Sequence, residues 1–500
     1  MSKFNKLNKD ILFLIIVELQ DDSKSLFSCL MVNRFWCETV IPILWKNPWC
    51  YSSINYKNKD YLLKIIAFYL SDDIKESLTS QGIQLPSILH KSLSFDYLSF
   101  CRCICVKTIN SIVCIGSAVA DNQSLLQREF YDLFMKKFPE LKYLDMQSIK
   151  NQRYYFPNDK LRFERLYELK CDTSVNSKYF YELAHISQHI QKLIIVNDIT
   201  TKNLGIIKLI EAQKKLKYFE WKEENGLYGY ALDPYKGILL ALEKKADIIN
   251  HLKIRLTHTK FNNGRTLQKV LPKLYKLKSL IIGGFNDLNE EQTKMCIYHD
   301  LETFKIYPHD LKAASIIIEN NGKNLKEFLI DYCSIYDYYN YENLNEDSLI
   351  LVRNIHENCP LIENLCLTFS PSKDHFIELE KLLKVCQNLK SLLILMFMHD
   401  ARTGEKLLKN GEEFLNTLIR STPTNLREIR LLHDYTFSLE ALEEFLGKWK
   451  GCALSILTCK PIYKEDNYVK LINKYKNNGV IKEFRCESYM NLVLKTMIDN

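Results

Sequence analysis

VCQNLKSLLIL, residues 385–395, sets apolar side chains at Leu389, Leu392 and Ile394. Read as apolar-x-x-apolar-x-apolar, the same signature stands at Leu141/Leu144/Met146, Leu166/Leu169/Cys171, Ile190/Leu193/Ile195 and Leu216/Phe219/Trp221. It recurs at Ile249/Leu252/Ile254, Leu277/Leu280/Ile282, Leu301/Phe304/Ile306, Leu325/Phe328/Ile330 and Ile362/Leu365/Leu367. After residue 395 come Leu426/Ile429/Leu431, Leu454/Leu457/Cys459 and Ile481/Phe484/Cys486. That makes thirteen copies, at steps of 25, 24, 26, 33, 28, 24, 24, 37, 27, 37, 28 and 27 residues. One match is cheap by chance; thirteen in order define a repeat. A unit that short cannot bury its apolar face alone, so neighbours must stack. The stretches between signatures, such as 346–357, 376–386, 439–449 and 467–475, carry apolar residues at helical spacing. The expected class is α/β: one strand and one helix per repeat, stacked into a solenoid over 139–500, with 489–498 as a closing helix.

This spacing resembles that of leucine-rich repeats, and the stretches 358–367 and 385–395 resemble their cysteine-containing class. Strand alternation sends the residues between signature positions to the face away from the helices. Tyr143, Asp145, Glu168, Lys170, Tyr218, Glu220, His251 and Lys253 should line it, followed by Thr303, Lys305, Glu327, Leu329, Glu428, Arg430, Glu483 and Arg485. Such a mixed-charge, aromatic surface suits a protein or peptide better than a phosphate backbone. The three long steps place extra residues after the strand, at 222–237, 331–345 and 396–412, all on one rim. The middle insertion holds Tyr332, Tyr336, Tyr338, Tyr339 and Tyr341, and tyrosine gives large contact area at low entropic cost. These tyrosines, with Tyr143, Tyr218, Glu327 and Arg430, are the candidate target-binding residues. The alternative is that the insertions are neutral surface loops, which chains tolerate well.

The first 49 residues are of another kind. Leu7, Ile11, Ile15 and Leu19 recur about one helical turn apart, 20–23 breaks the pattern, and Leu26, Leu30 and Trp36 continue it. A third stretch holds Val40, Ile41, Leu44 and Trp45, with Pro42 near its start. Three short helices cannot hide all of these side chains among themselves, so a partner interface is expected. The segment resembles the F-box: Leu7, Ile11, Ile15 and Leu19, then Ser25-Leu26, Cys29-Leu30, Val32-Asn33-Arg34, Trp36 and Leu44-Trp45. The proline that follows the first leucine in that family is Asn8 here. The resemblance implies docking to a Skp adaptor, and through it to a cullin, by Leu7, Ile11, Ile15, Leu26, Leu30, Val32, Trp36 and Trp45. Loss of the Leu-Pro pair, which touches the adaptor in the family, is expected to weaken that contact. Residues 1–49 are thus the docking segment, 50–138 a helical linker and 139–500 the repeats.

Composition narrows the remaining choices. With 68 basic and 60 acidic side chains interleaved, the net charge of +8 forms no concentrated stripe, and no nucleic-acid partner is expected. Sixteen cysteines without disulfide-like spacing point to a reducing compartment, cytoplasmic or nuclear. No apolar run approaches bilayer length, so no membrane partner is expected. The run 11–17 is too short and too closely bracketed by acids for a secretion signal. Cys101, Cys103, Cys105 and Cys114 lack zinc-site spacing and sit among apolar residues, which reads as structural burial. His185 and His189 could share a helical face, but no carboxylate pattern accompanies them. No phosphate-cradling, nucleophile-elbow or dinucleotide motif is present, so no catalytic residue, metal or cofactor is expected. The resemblance implies a substrate receptor of an SCF-type ubiquitin ligase, its repeats holding a target protein. A scaffold or binding protein with a degenerate F-box, and a zinc-dependent or hydrolytic enzyme, are the other readings. Co-purification with the adaptor and metal analysis separate them.

Overall fold

The computed structural model describes residues 8–20, 22–49, 59–86, 92–147, 163–197, 203–223, 235–255, 263–283, 289–307, 310–330, 343–397, 403–421 and 423–488. The chain forms two compact units, Met1–Ala241 and Leu242–Asn500. The last predicted helix, 489–498, and the tyrosines from 332 to 341 lie outside the described residues.

The first unit opens with three helices, α1 (Lys9–Glu18), α2 (Ser23–Leu30) and α3 (Arg34–Leu44). Each begins where a short polar side chain caps exposed N–H groups. Asn8 Oδ1 accepts from the Asp10 amide at 3.1 Å, Asp22 Oδ1 from Ser25 at 3.2 Å and Asn33 Oδ1 from Trp36 at 3.0 Å. The two hydrogen bonds from Ser25 also hold the Asp22 carboxyl below the usual carboxylate range. The Asn33 cap puts Trp36 in the same helix as Leu44, with Pro42 inside α3 and not near a new start. Leu12, Ile16, Leu26 and Val40 are fully buried, and α1 and α2 both pack on α3.

Helices α4 (Asp60–Phe68), α5 (Asp72–Ser80) and α6 (Tyr97–Phe100) follow. Then the sheet begins earlier than expected, at β1 (Cys103–Cys105), within the stretch read as a helical linker. The reason is legible afterwards: Cys101, Ile104 and Val106 are a further copy of the signature, all three fully buried, with a cysteine as the small hydrophobe in first place. Helices α7 (Val106–Gly116) and α8 (Ala120–Lys137) lead to β2 (Tyr143–Asp145), β3 (Glu168–Asp172), β4 (Lys192–Asn197) and β5 (Tyr218–Glu223). All pairs are parallel and in chain order, with Ile104, Leu144, Leu169, Leu193 and Phe219 in register. The segment after α3 is seated on this sheet. Trp49 Nε1 donates to the Cys103 carbonyl at 2.6 Å, and the Arg102 amide donates to Lys46 at 3.0 Å. Trp45 packs on Tyr97 at 4.6 Å and Trp49 on Phe134 at 5.8 Å between ring centroids.

In the second unit the strands are β6 (His251–Arg255), β7 (Ser279–Gly283), β8 (Thr303–Ile306), β9 (Glu327–Ile330) and β10 (Asn364–Phe369). They continue as β11 (Ser391–Met396), β12 (Glu428–His433), β13 (Leu454–Thr458) and β14 (Ile481–Cys486). Leu252, Leu280, Phe304, Phe328, Leu365, Leu392, Ile429, Ile456 and Phe484 occupy one register position in successive parallel strands. Only the twelfth predicted signature is displaced. Ile456, not Leu457, pairs with Ile429, and the register shifts again between Leu454 and Ser455 where β13 meets β14. A bulge there takes up one residue and sharpens the local twist. The helices between strands include Leu344–Asn358, Lys373–Val385, Gly404–Ser421, Leu439–Lys448 and Asp466–Asn477. Residues 404–412, expected to be rim insertion, form the first half of the helix Gly404–Ser421.

Buried side chains reach back from one repeat to the backbone of the one before. Gln213 Nε2 donates to Ser187 O at 2.8 Å while its Oε1 accepts from Ile190 N at 3.0 Å. Ser187 Oγ in turn donates to Phe163 O at 2.8 Å. In the second unit Asn321 Nδ2 donates to Cys296 O at 2.8 Å, and Cys386 Sγ lies 3.6 Å from Cys359 O. The Gln213 and Asn321 rungs give Ser187 O and Cys296 O a donor at the turn into the strand, while Phe163 O and Cys359 O also accept from the Leu166 and Ile362 amides. Burial pushes the Cys386 thiol up to about 12 and raises Cys359 as well, so both stay protonated.

Candidate partner-binding site

Two surfaces carry side chains that the fold itself does not use. The first is on α1–α3. Seven of the ten α1 residues are apolar, on every side of the helix, yet only Leu12 and Ile16 are buried. Ile11, Phe13, Leu14 and Ile15 are 43–64% exposed, and Met31 (86%), Val32 (55%) and Phe35 (38%) add to the exposed apolar surface at the turn into α3. A helix that is apolar all round needs cover on all sides, and this one has it on one.

The structure sorts the expected docking residues. Ile11, Ile15 and Val32 face solvent. Leu26 and Trp45 are buried, at 0% and 5% exposure, and their job is to hold the helices together. Leu30 and Trp36 are half-buried, Leu30 lining a small void with Phe27, Ile41, Trp45 and Leu62. Leu7 lies outside the described residues. Phe13, Leu14, Met31 and Phe35 were not singled out in the sequence. Their signal was present, because a run without a polar face cannot be placed on either side by periodicity alone. Asn8, the departure from the family pattern, is the N-cap of α1.

The second surface is the sheet face opposite the signature positions. In the first unit Tyr143, Glu168, Lys192 and Tyr218 stand in register on adjacent strands. Lys192 Nζ lies 3.3 Å from Glu168 and 5.3 Å from the centre of the Tyr218 ring, and Tyr218 OH donates to Glu220 Oε2 at 2.9 Å. Burial, then the Glu168 and Glu220 carboxylates respectively, raise the Tyr143 and Tyr218 hydroxyls, so both remain donors at any working pH. Beside them a hollow of about 330 Å³ is lined by Trp49, Cys105, Tyr143, Asp145 and Lys170, among others. In the second unit Glu327 is on β9 and Arg430 on β12, three strands apart along the same face. Arg430 Nε donates to Glu428 Oε1 at 2.8 Å, and Ser391 Oγ donates to the same carboxylate at 2.9 Å. Leu329, Cys366 and Leu393, each under 10% exposed, form an apolar strip between Lys305 and Arg430.

Among the described residues no group of three or more His, Cys, Asp or Glu side chains could hold a metal, and no helix is long and apolar enough to cross a membrane. The helix Ser177–Ile186 ends before His189, so His185 and His189 do not share a helical face.

No profile of a protein family matches the chain, and no curated protein matches it. Among solved structures, a crystal structure of the Rad7 and Elc1 complex in yeast is similar over 67% of this chain and 89% of that one, with 14% identity and a TM-score of 0.37.

Proposed function

We propose that this chain is a non-catalytic substrate receptor of an SCF-type ubiquitin ligase, with α1–α3 as its F-box. The observation that supports the reading most is the apolar surface of Ile11, Phe13, Leu14, Ile15, Met31, Val32 and Phe35, left uncovered on a segment whose core is otherwise closed. A Skp adaptor would cover it and join the chain to a cullin. The strand face and its neighbouring rim would hold a target protein. Tyr143, Lys192 and Tyr218 offer it aromatic area and polar contacts that are already positioned. The contribution is proximity: a target lysine is held near a thioester carried by another protein, which converts an encounter into a near-intramolecular step.

Trp49 and the Lys46–Arg102 backbone bond give this reading a mechanical element. The docking helices are fixed to β1, so the reach between adaptor and the first strands is set by the fold and not by a floppy tether. The test is reconstitution with a recombinant Skp adaptor followed by size-exclusion chromatography. The intact chain should co-elute with the adaptor, and Leu14→Asp/Val32→Asp should elute alone while keeping its circular dichroism spectrum. An intact chain that never co-elutes would favour the scaffold reading instead.

A further inference from the structure

The second unit holds a groove that the adaptor and strand-face surfaces do not involve. It lies between the helices Lys373–Val385 and Gly404–Ser421 and encloses about 820 Å³, within the usual size of ligand sites. The longer helix creates it. Its 18 residues outrun the 13 of its neighbour, and its first turns stand clear, with Leu408 39% exposed. Pro371, Phe376 and Ile377 supply an apolar floor, with Ile377 42% exposed.

The charges on the walls are unequal. Glu380 and Glu413 are both claimed by Arg420, at 2.7 and 2.8 Å, and Glu380 also by Lys384 at 2.6 Å. Lys373, Lys406 and Lys409 line the same groove, and none makes an ion pair among the described residues. Four basic and two acidic lining groups leave a net charge of +2. Arg420, with Lys384 from outside the lining, offsets the two acids, so among the described residues Lys373, Lys406 and Lys409 present their charge above an apolar floor.

We propose that this groove binds an acidic polypeptide segment, with carboxylates on Lys373, Lys406 and Lys409 and an apolar side chain on Ile377. The open, elongated walls suit an extended chain, and lysines on two helices match acidic residues spaced along it. The proposal does not depend on the ubiquitin-ligase reading.

The probe is a fluorescein-labelled peptide, Glu-Glu-Leu-Asp-Glu-Leu, titrated with the full chain and followed by fluorescence anisotropy, beside its Gln/Asn counterpart. The acidic peptide should bind and the neutral one should not, and affinity should fall as salt rises. Lys406→Glu/Lys409→Glu should weaken binding about tenfold or more, with the fold unchanged because both side chains are exposed and make no ion pair among the described residues. Lys450→Glu, an exposed lysine outside the groove, should leave it unaltered. The proposal is overturned by absence of binding, by equal loss in Lys450→Glu, or by inorganic phosphate occupying the groove while the carboxylate peptide does not.

Discussion

Leu12 and Leu14 differ by two positions in α1 and should fail in opposite ways. Leu14 is 64% exposed and Leu12 0%. Full burial of a leucine is worth about 1.5–3 kcal/mol, so covering the exposed part of Leu14 contributes roughly 1–2 kcal/mol. Leu14→Ala should therefore weaken the complex with a Skp adaptor about 5- to 30-fold, with no change in melting temperature. Leu12→Ala empties a packed position instead, at a cost of about 2–5 kcal/mol to the fold. The assay is calorimetric titration of adaptor into each variant, paired with a thermal melt. If Leu14→Ala binds within twofold of the parent, the α1 face is not where the adaptor sits. If Leu12→Ala melts unchanged, the packing of α1 against α3 is misassigned.

Further outcomes are expected. Asn8→Pro fits the existing φ of −61° but deletes the cap on the Asp10 amide. The loss is about 1 kcal/mol of helix stability, read in a thermal melt, while the restored Leu-Pro pair should raise adaptor affinity in the same titration; an unchanged affinity would show that Asn8 does not weaken that contact. His375 is buried between Ser348 and Ser372, at 3.0 and 2.8 Å, and burial lowers its pKa to about 4. The unfolded histidine takes up its proton near pH 6.5 and the folded one does not until about pH 4, so stability should fall across that window and level off below it. His375→Asn should flatten this part of the stability–pH curve; an unchanged slope would show that the histidine is not its source. Gln213→Ala removes a fully buried rung and leaves the Ser187 carbonyl and Ile190 amide unpaired. A loss of about 2–3 kcal/mol is expected in urea unfolding of the first unit. Timed alkylation of the native chain should label exposed Cys114 well before buried Cys101, Cys171, Cys359 or Cys386; early labelling of Cys386 would contradict its burial.

The repeat was legible because side-chain alternation and strand register are two views of one geometry. A leucine three residues after an apolar position and two before another can be satisfied only by a strand against a helix, and Leu144, Leu169 and Leu193 stack as that spacing demands. β1 escaped because cysteine stands first in no other copy of the signature, and Cys101, Cys103 and Cys105 together read as structural burial. At Leu454 a bulge broke the spacing, and periodicity has no means to announce an extra residue. The exposed apolar surface of α1–α3 was legible as a segment and not as residues. α1 offers apolar side chains in every direction, and which of them turn inward is decided by α3, through contacts that lie far from any local pattern. The groove beside Lys406 was invisible for a related reason: residues 404–412 looked like insertion, and only the helix they form gives the groove its second wall.

A parallel array has no intrinsic length, since each outer strand offers the next chain the same row of unpaired backbone groups. The first and last of the described strands withhold that offer. β1 is three residues long, too brief to template a partner. β14 leaves its neighbour's register through a bulge and carries Lys482, Glu483 and Arg485 along its length, so an incoming strand would meet a twisted, charged edge. Strand addition is thereby disfavoured at both of these edges. The number of stacked repeats is then set by the single polypeptide and not by how many molecules meet.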